Sequence, residues 1–268
     1  MNIENITNLF EEWNIDFNEP LGFIFDVDEL LCQNGREIYL AYKMLLDERG
    51  TPLEEGEEFP GKDLFDIVSN IKCKYGIDAS VEELVSERRE HYLKIIKENE
   101  VVCSEGVKEL FQFFEQIKGE QDVRIAYASS SEYAFVKVLL SQLFLQCKMY
   151  QYIENPDKYF YHTDNGYAST CWGEGMNKKP ASDVYDITLE KLNLKSQQCI
   201  AFEDSMSGFQ SARSADVRTV LISPKDKKND YFEAFECGVI YDDCIRLPSL
   251  LDFYQFLKVI FKQKISKV

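Results

Sequence analysis

The chain has 268 residues, 45% of them hydrophobic, and sets 30 Lys and Arg against 47 Asp and Glu for a formal net charge of −17. That apolar content suffices for one large domain or two small ones and excludes a largely disordered chain. So acidic a surface repels phosphate backbones and argues against nucleic-acid binding, whereas a metal ion or one lysine can reverse the field locally for a small phosphorylated ligand.

In chain order, Met1 to Glu12 is polar and acidic, with no apolar run behind a basic flank, so no secretory signal is expected. Asn5-Ile6-Thr7 fits the glycosylation triplet and is read as chance. Leu21 to Phe25 is a short apolar run that stops at Asp26, the mark of a buried strand. Ile38, Tyr42 and Leu45 then recur at helical spacing, as do Leu64, Ile67, Val68 and Ile71. Ser80 and Glu83 form a capping box that opens a third helix through Leu84, Val85, Arg88 and Tyr92, with His91 expected on its exposed face. Residues 37–99 therefore read as a small helical domain inserted into a core made of residues 1–36 and 100–268.

Val107, Leu110, Phe111, Phe114 and Ile117 mark a helix leading into a strand from Val123 to Ala128, which stops at Ser129. In Ser129-Ser130-Ser131, Ser131 is a candidate cap for the helix that follows. Residues 146–177 are rich in Tyr, Asn and Gly without a period, and predict a long loop or irregular hairpin. The span from Ser129 to Lys179 exceeds what one helix, one strand and short loops need, so this segment, with Tyr159, Tyr161, His162 and Trp172, is expected to line the approach to the strand ends. Tyr185, Leu189 and Leu192 mark a helix, Cys199 to Phe202 a strand that stops at Glu203-Asp204, Phe209 and Ala212 another helix, and Val217 to Ile222 a strand. Strands alternating with helices predict an α/β fold with a doubly wound parallel sheet.

No stretch approaches the roughly 18 apolar residues of a membrane helix, and no membrane partner is expected. The eight cysteines, Cys32, Cys73, Cys103, Cys147, Cys171, Cys199, Cys237 and Cys244, are scattered without a C-x-x-C pair, which predicts reduced, largely buried thiols and a cytoplasmic location. With His91 and His162 the only histidines, a zinc site is not expected. Gly56 to Lys62 has P-loop spacing but ends in Asp63 with no strand before it, and is read as chance.

Ligands of open parallel sheets bind beyond the carboxyl ends of strands. Those ends carry Asp26 and Asp28, then Ser129, then Glu203 and Asp204, with Lys179 between the last two. Carboxylates at one edge make an oxygen cage suited to Mg2+, a hydroxyl and an ammonium can grip a phosphoryl group, and a carboxylate can attack phosphorus. Taken singly, Asp26 and Asp28 fit a turn, Lys179 a solvated surface, and Glu203-Asp204 a favourable helix dipole.

The set Phe25-Asp26-Val27-Asp28, Ala128-Ser129-Ser130, Lys179-Pro180 and Phe202-Glu203-Asp204-Ser205-x-x-Gly208 resembles the haloacid dehalogenase superfamily. Within it, the chain resembles the β-phosphoglucomutase-like and phosphoglycolate phosphatase-like branch with a helical cap. The resemblance implies a Rossmann-type core and an Mg2+-dependent phosphohydrolase of a small phosphorylated metabolite, working through an aspartyl phosphate beneath a movable cap. It further implies Asp26 as nucleophile and metal ligand, and Asp28 as general acid and base lending its backbone carbonyl to the metal. Ser129 and the Ser130 amide would hold phosphoryl oxygens, and Lys179 would steady the nucleophile and the phosphoryl charge. Asp204 would ligate the metal, with Glu203 beside it.

Some positions depart from the pattern. Glu29 and Leu30 stand where the family has Gly and then Thr, Val or Ser, Ser182 replaces a proline, and Asp216 replaces the glycine of an Ala-Gly pair. Glu29 adds negative charge near the nucleophile and keeps open a scaffold that binds or regulates without turnover. A sugar-phosphate mutase of the branch carries a Ser-Arg pair after a cap glycine, whereas Gly61 here precedes Lys62-Asp63-Leu64.

Overall fold

In the computed structural model the described residues are 12–16, 19–53, 64–118, 122–163, 166–173, 175–223 and 241–265. Backbone contacts divide the chain into two compact units, Met1–Gln33 with Val102–Val268, and Asn34–Val101.

The larger unit contains strands β1 (Leu21–Phe25), β2 (Cys32–Gln33), β3 (Val102–Cys103), β4 (Val123–Ser129), β5 (His162–Thr163), β6 (Gly166–Tyr167), β7 (Thr170–Cys171), β8 (Cys199–Glu203), β9 (Arg218–Ile222) and β10 (Cys244–Leu247). Six of them form one sheet in the order β10-β9-β8-β1-β4-β7, and every adjacent pair is parallel. All five residues of β1 are buried, as expected of a strand covered on both faces. Its alternation sorts the core. Ile24, with Ala126 and Ala201, packs toward Val184, Tyr185 and Ala212 on one face. Phe23 and Phe25 point the other way, where Phe25 stacks on Phe202 at 4.4 Å and Phe23 meets Phe114 at 5.0 Å. The register pairs Phe25 with both Tyr127 and Phe202, so the residues after all three strands leave the sheet at the same edge.

The smaller unit is three helices, α1 (Gly35–Asp47), α2 (Leu64–Tyr75) and α3 (Val81–Glu98), around Tyr42, Leu45, Val68, Ile71 and Leu84. Ser80 caps α3 in the expected capping box with Glu83. His91 is not fully exposed: it is half-buried and lies 3.1 Å from Glu48. The P-loop-like stretch from Gly56 lies outside the described residues up to Asp63.

Helices α4 (Val107–Ile117), α5 (Tyr133–Gln146), α6 (Asp183–Leu192), α7 (Met206–Ser214) and α8 (Leu250–Ile265) complete the larger unit. Periodicity marked α4, α6 and α7. It is weak in α5: the buried Phe135, Val136, Leu139, Leu140 and Leu143 share one face, but Val138 and the exposed Leu145 carry apolar surface to the other side. Strand β10 and helix α8 were not anticipated, and the apolar run of four-residue β10 is broken by a buried Arg246. No helix among the described residues is long and apolar enough to cross a membrane. All seven described cysteines are free thiols, four of them buried.

Candidate active site

Asp26 follows β1 directly, and its N–H donates to the Phe202 carbonyl at 3.0 Å, locking its position to β8. The chain then turns sharply. The N–H groups of Leu31 and Cys32 both reach the Val27 carbonyl, and the Glu29 N–H reaches the Cys32 carbonyl at 2.8 Å. Glu29 sits at the bend with φ +60°, the left-handed region that favours glycine. The turn aims the Asp28 carboxylate at β4, where it accepts hydrogen bonds from Ser131 Oγ at 2.7 Å and Ser129 Oγ at 3.4 Å. Ser131 is therefore not the helix cap. Glu132 occupies that position, without a side-chain bond, and the Ser131 hydroxyl serves Asp28 instead. Ser129 is fully buried, and the Ser130 hydroxyl is buried without a protein partner.

Lys179 is not a solvated lysine: its side chain is 5% exposed, and Nζ lies 2.5 Å from Asp26 Oδ1 and 2.6 Å from Glu203 Oε1. Glu203 is fully buried, and its Oε1 also accepts the Tyr185 hydroxyl at 2.5 Å. Its Oε2 has no hydrogen-bond partner among the described residues and lies against Gly208, where a β-carbon would fall 1.8 Å away. The glycine three residues into the motif after Asp204 and Ser205 thus has a steric reason. Ser205, rather than either acid, caps α7 by accepting from the Gly208 N–H at 3.1 Å.

Asp26, Glu203 and Asp204 each place a carboxylate oxygen within 4.8 Å of the others. Lys179 bridges two of these three carboxylates, Asp26 and Glu203. Burial pushes the Asp26 carboxyl well above the usual carboxylate range; Lys179 opposes the shift, and Glu203, Asp204 and Asp28 add to it. For Lys179, burial alone would lower the pKa, but Asp26 and Glu203 outweigh it and the net shift is upward, so the ammonium stays charged. Burial and Glu203 together push the Tyr185 hydroxyl up, keeping it a donor. A hard divalent cation fits this oxygen set: its charge suits clustered carboxylates, and it would give Glu203 Oε2 a partner.

The structure thus brings Asp26, Asp28, Ser129, Ser130, Lys179, Glu203 and Asp204 to one edge of the sheet. Sequence reasoning missed Ser131 and Tyr185 as contacts of the acidic residues. The spacing of Ser131 to Ser129 was a usable signal, whereas Tyr185 reads as an ordinary core position of α6. The segment 146–177 is divided. The Trp172 backbone N–H donates to the Ser129 carbonyl at 2.9 Å, and the Lys178 ammonium lies 4.3 Å from the Trp172 ring, so this part reaches the sheet edge that carries the candidate residues. Tyr159 does not line the approach; it is buried, stacked on Phe111 at 4.8 Å with its hydroxyl on the Phe111 carbonyl. Tyr161 is tied to the Ile125 carbonyl of β4, and His162 lies on the exposed β5–β6 hairpin.

The profile of haloacid dehalogenase-like hydrolases matches residues 21–216. The protein CbbY of Rhodobacter capsulatus is 31% identical over 159 residues, 59% of this chain and 61% of that protein, so the match spans less than two thirds of that relative. The phosphorylated carbohydrates phosphatase of Thermotoga maritima is 24% identical over 204 residues, 74% of this chain and 82% of that protein. Among solved structures, CbbY of Rhodobacter sphaeroides in complex with phosphate superposes with a TM-score of 0.66 at 16% identity, covering 88% of this chain and 96% of that one, a likeness of fold.

Proposed function

We propose that this chain, which belongs to the haloacid dehalogenase-like hydrolase family, is an Mg2+-dependent phosphohydrolase of a small phosphorylated metabolite, with a phosphorylated carbohydrate as the favoured class. The observation that carries the reading is the buried Lys179 ammonium bridging Asp26 and Glu203 at the strand edge that also presents Ser129. The carbohydrate class is supported by the name of the Thermotoga maritima relative.

In this reading an Asp26 carboxylate oxygen attacks phosphorus, and the bond from phosphorus to the ester oxygen breaks. Asp28 gives its proton to the departing oxygen, then takes one from the water that attacks the aspartyl phosphate, which releases phosphate and restores Asp26. Ser131 and Ser129 hold the Asp28 carboxylate for both transfers. The Ser129 hydroxyl and the Ser130 amide take phosphoryl oxygens, and Lys179 fixes the nucleophile and offsets charge as it develops. Asp26, the Asp28 carbonyl and Asp204, with Glu203 beside them, would hold Mg2+, which when bound neutralises charge on the nucleophile and the phosphoryl group. The smaller unit, residues 34–101, acts as the movable cap that excludes water, and the Trp172 region limits substrate size.

Turnover rather than a silent scaffold is favoured because every group the chemistry needs is present and the Asp26–Lys179 contact is made. Hydrolysis of an aryl phosphate is expected to require Mg2+ and to vanish in Asp26→Asn. Substantial turnover in that variant would remove Asp26 as nucleophile. Product analysis on a sugar monophosphate, with free phosphate expected and an isomer not, separates hydrolase from mutase.

A further inference from the structure

Glu203 has one oxygen occupied twice and the other not at all. Lys179 Nζ and Tyr185 OH both approach Oε1, at 2.6 and 2.5 Å, while Oε2 is buried without a partner. A carboxylate held by a single ammonium can rotate about its terminal torsion, which is broad and roughly two-fold, and offer either oxygen to a neighbour. Two donors converging on Oε1 from different elements remove that freedom. Lys179 comes from the loop before α6, and Tyr185 from the first turns of α6 itself. Lys179 is shared with Asp26 at 2.5 Å and so cannot by itself commit to Glu203. Among the described residues the Tyr185 hydroxyl has Glu203 as its one acceptor, and its ring lies 5.4 Å from the same ammonium, which favours Lys179 staying between the two acids. Gly208 completes the arrangement by leaving room for Oε2, since any β-carbon there would fall 1.8 Å from it.

We infer that Tyr185 is a positioning residue for the cation site: its hydroxyl fixes Glu203 so that Oε2 faces the Asp26–Asp204 oxygens. This deepens the metal-dependent reading above and rests on it. Tyr185 touches neither substrate nor reacting atoms; it acts through Glu203. Partners of this kind, which orient a ligand from behind, typically change metal affinity about 10–100-fold when removed.

The test uses the full chain and MgCl2 alone, without substrate. Thermal melting is followed across an Mg2+ titration for the wild type, Tyr185→Phe and Asp204→Asn. Phenylalanine keeps the ring in the core, and Lys179 still satisfies Glu203 Oε1, so the variant retains its fold; a cooperative melt without Mg2+ checks this. The expected result is an apparent Mg2+ affinity about tenfold weaker in Tyr185→Phe than in the wild type. On an aryl phosphate, the Mg2+ concentration for half-maximal rate should rise by the same factor, with kcat at saturating Mg2+ nearly unchanged. A variant that melts earlier yet binds Mg2+ as tightly as the wild type would show that Tyr185 only packs the core, and would overturn the inference while leaving the metal site standing. Should Asp204→Asn be stabilised by Mg2+ as much as the wild type, the ion binds elsewhere, and both the metal site and the role of Tyr185 fall.

Discussion

Replacing Glu29 by glycine should stabilise the protein, although it deletes a side chain at the site. Glu29 has φ +60°, where a β-carbon crowds the following carbonyl oxygen at a cost of about 1–2 kcal/mol. Glycine removes that cost but gives back about 0.5–1 kcal/mol, because its unfolded chain is freer. The expected net gain is about 0.5–1 kcal/mol. The bonds that hold the turn are made by the backbone of residue 29: its N–H to the Cys32 carbonyl at 2.8 Å, and its carbonyl to Ser104 Oγ at 3.4 Å. Both survive the substitution. Equilibrium urea unfolding of the wild type, Glu29→Gly, Glu29→Ala and Glu29→Gln separates the causes. Alanine and glutamine keep the β-carbon and should gain nothing from relief of backbone strain, whereas glycine should. An equal gain in Glu29→Ala would place the effect in the lost carboxylate and refute the conformational argument.

Lys179→Met should be strongly destabilising, because Asp26 and Glu203 would then share a buried site without their ammonium, a loss of about 3–5 kcal/mol. An acid whose folded pKa is raised, as that of Asp26 is, binds its proton more tightly when folded; its contribution is full at low pH and lost as pH rises through the folded value. The deficit of Lys179→Met should therefore widen from acid toward neutral pH in urea unfolding, and a deficit that narrows would contradict the assignment. Gly208→Ala should push Glu203 aside, since the new β-carbon would fall 1.8 Å from Oε2, and cost about 1–3 kcal/mol of overpacking. It should also lose the thermal stabilisation by Mg2+, and an Mg2+ response equal to that of the wild type would show that Oε2 is not needed there.

Most of the larger unit was legible because its strands are short apolar runs that each stop at a polar residue, and its helices mostly carry a single apolar stripe. Phe25 before Asp26 and Phe202 before Glu203 were readable as strand ends, and the parallel register then had to bring both acids to one edge. What escaped lacks such a signal. Helix α5 is apolar on more than one side, and two-residue β7 joins the sheet beside β4 with no apolar run of its own. Segment 146–177 looked like one excursion. Its aromatic residues divide between the core, where Tyr159 stacks on Phe111, and the sheet edge of the candidate site, where Trp172 is tethered to Ser129. Composition does not distinguish the two roles, because an aromatic side chain suits a buried flank and a site wall equally.

The departures from the family pattern are informative for a related reason. Glu29 and Asp216 both stand where glycine was expected, and both adopt the left-handed backbone that glycine would supply, at φ +60° and +58°. Both thus carry a β-carbon on a backbone that favours glycine. At Asp216 the side chain offsets part of the cost: Oδ2 accepts Gln197 Nε2 at 2.6 Å and Ser196 Oγ at 3.5 Å, and a short acidic residue tolerates this region better than a long one. At Glu29 the cost falls on the turn that aims Asp28 at Ser131 and Ser129, so the strain lies in the loop that delivers both acids of the proposed chemistry. The departure at Glu29 therefore reads, on this backbone, as strain in a turn that still makes the Asp28 contacts to Ser131 and Ser129.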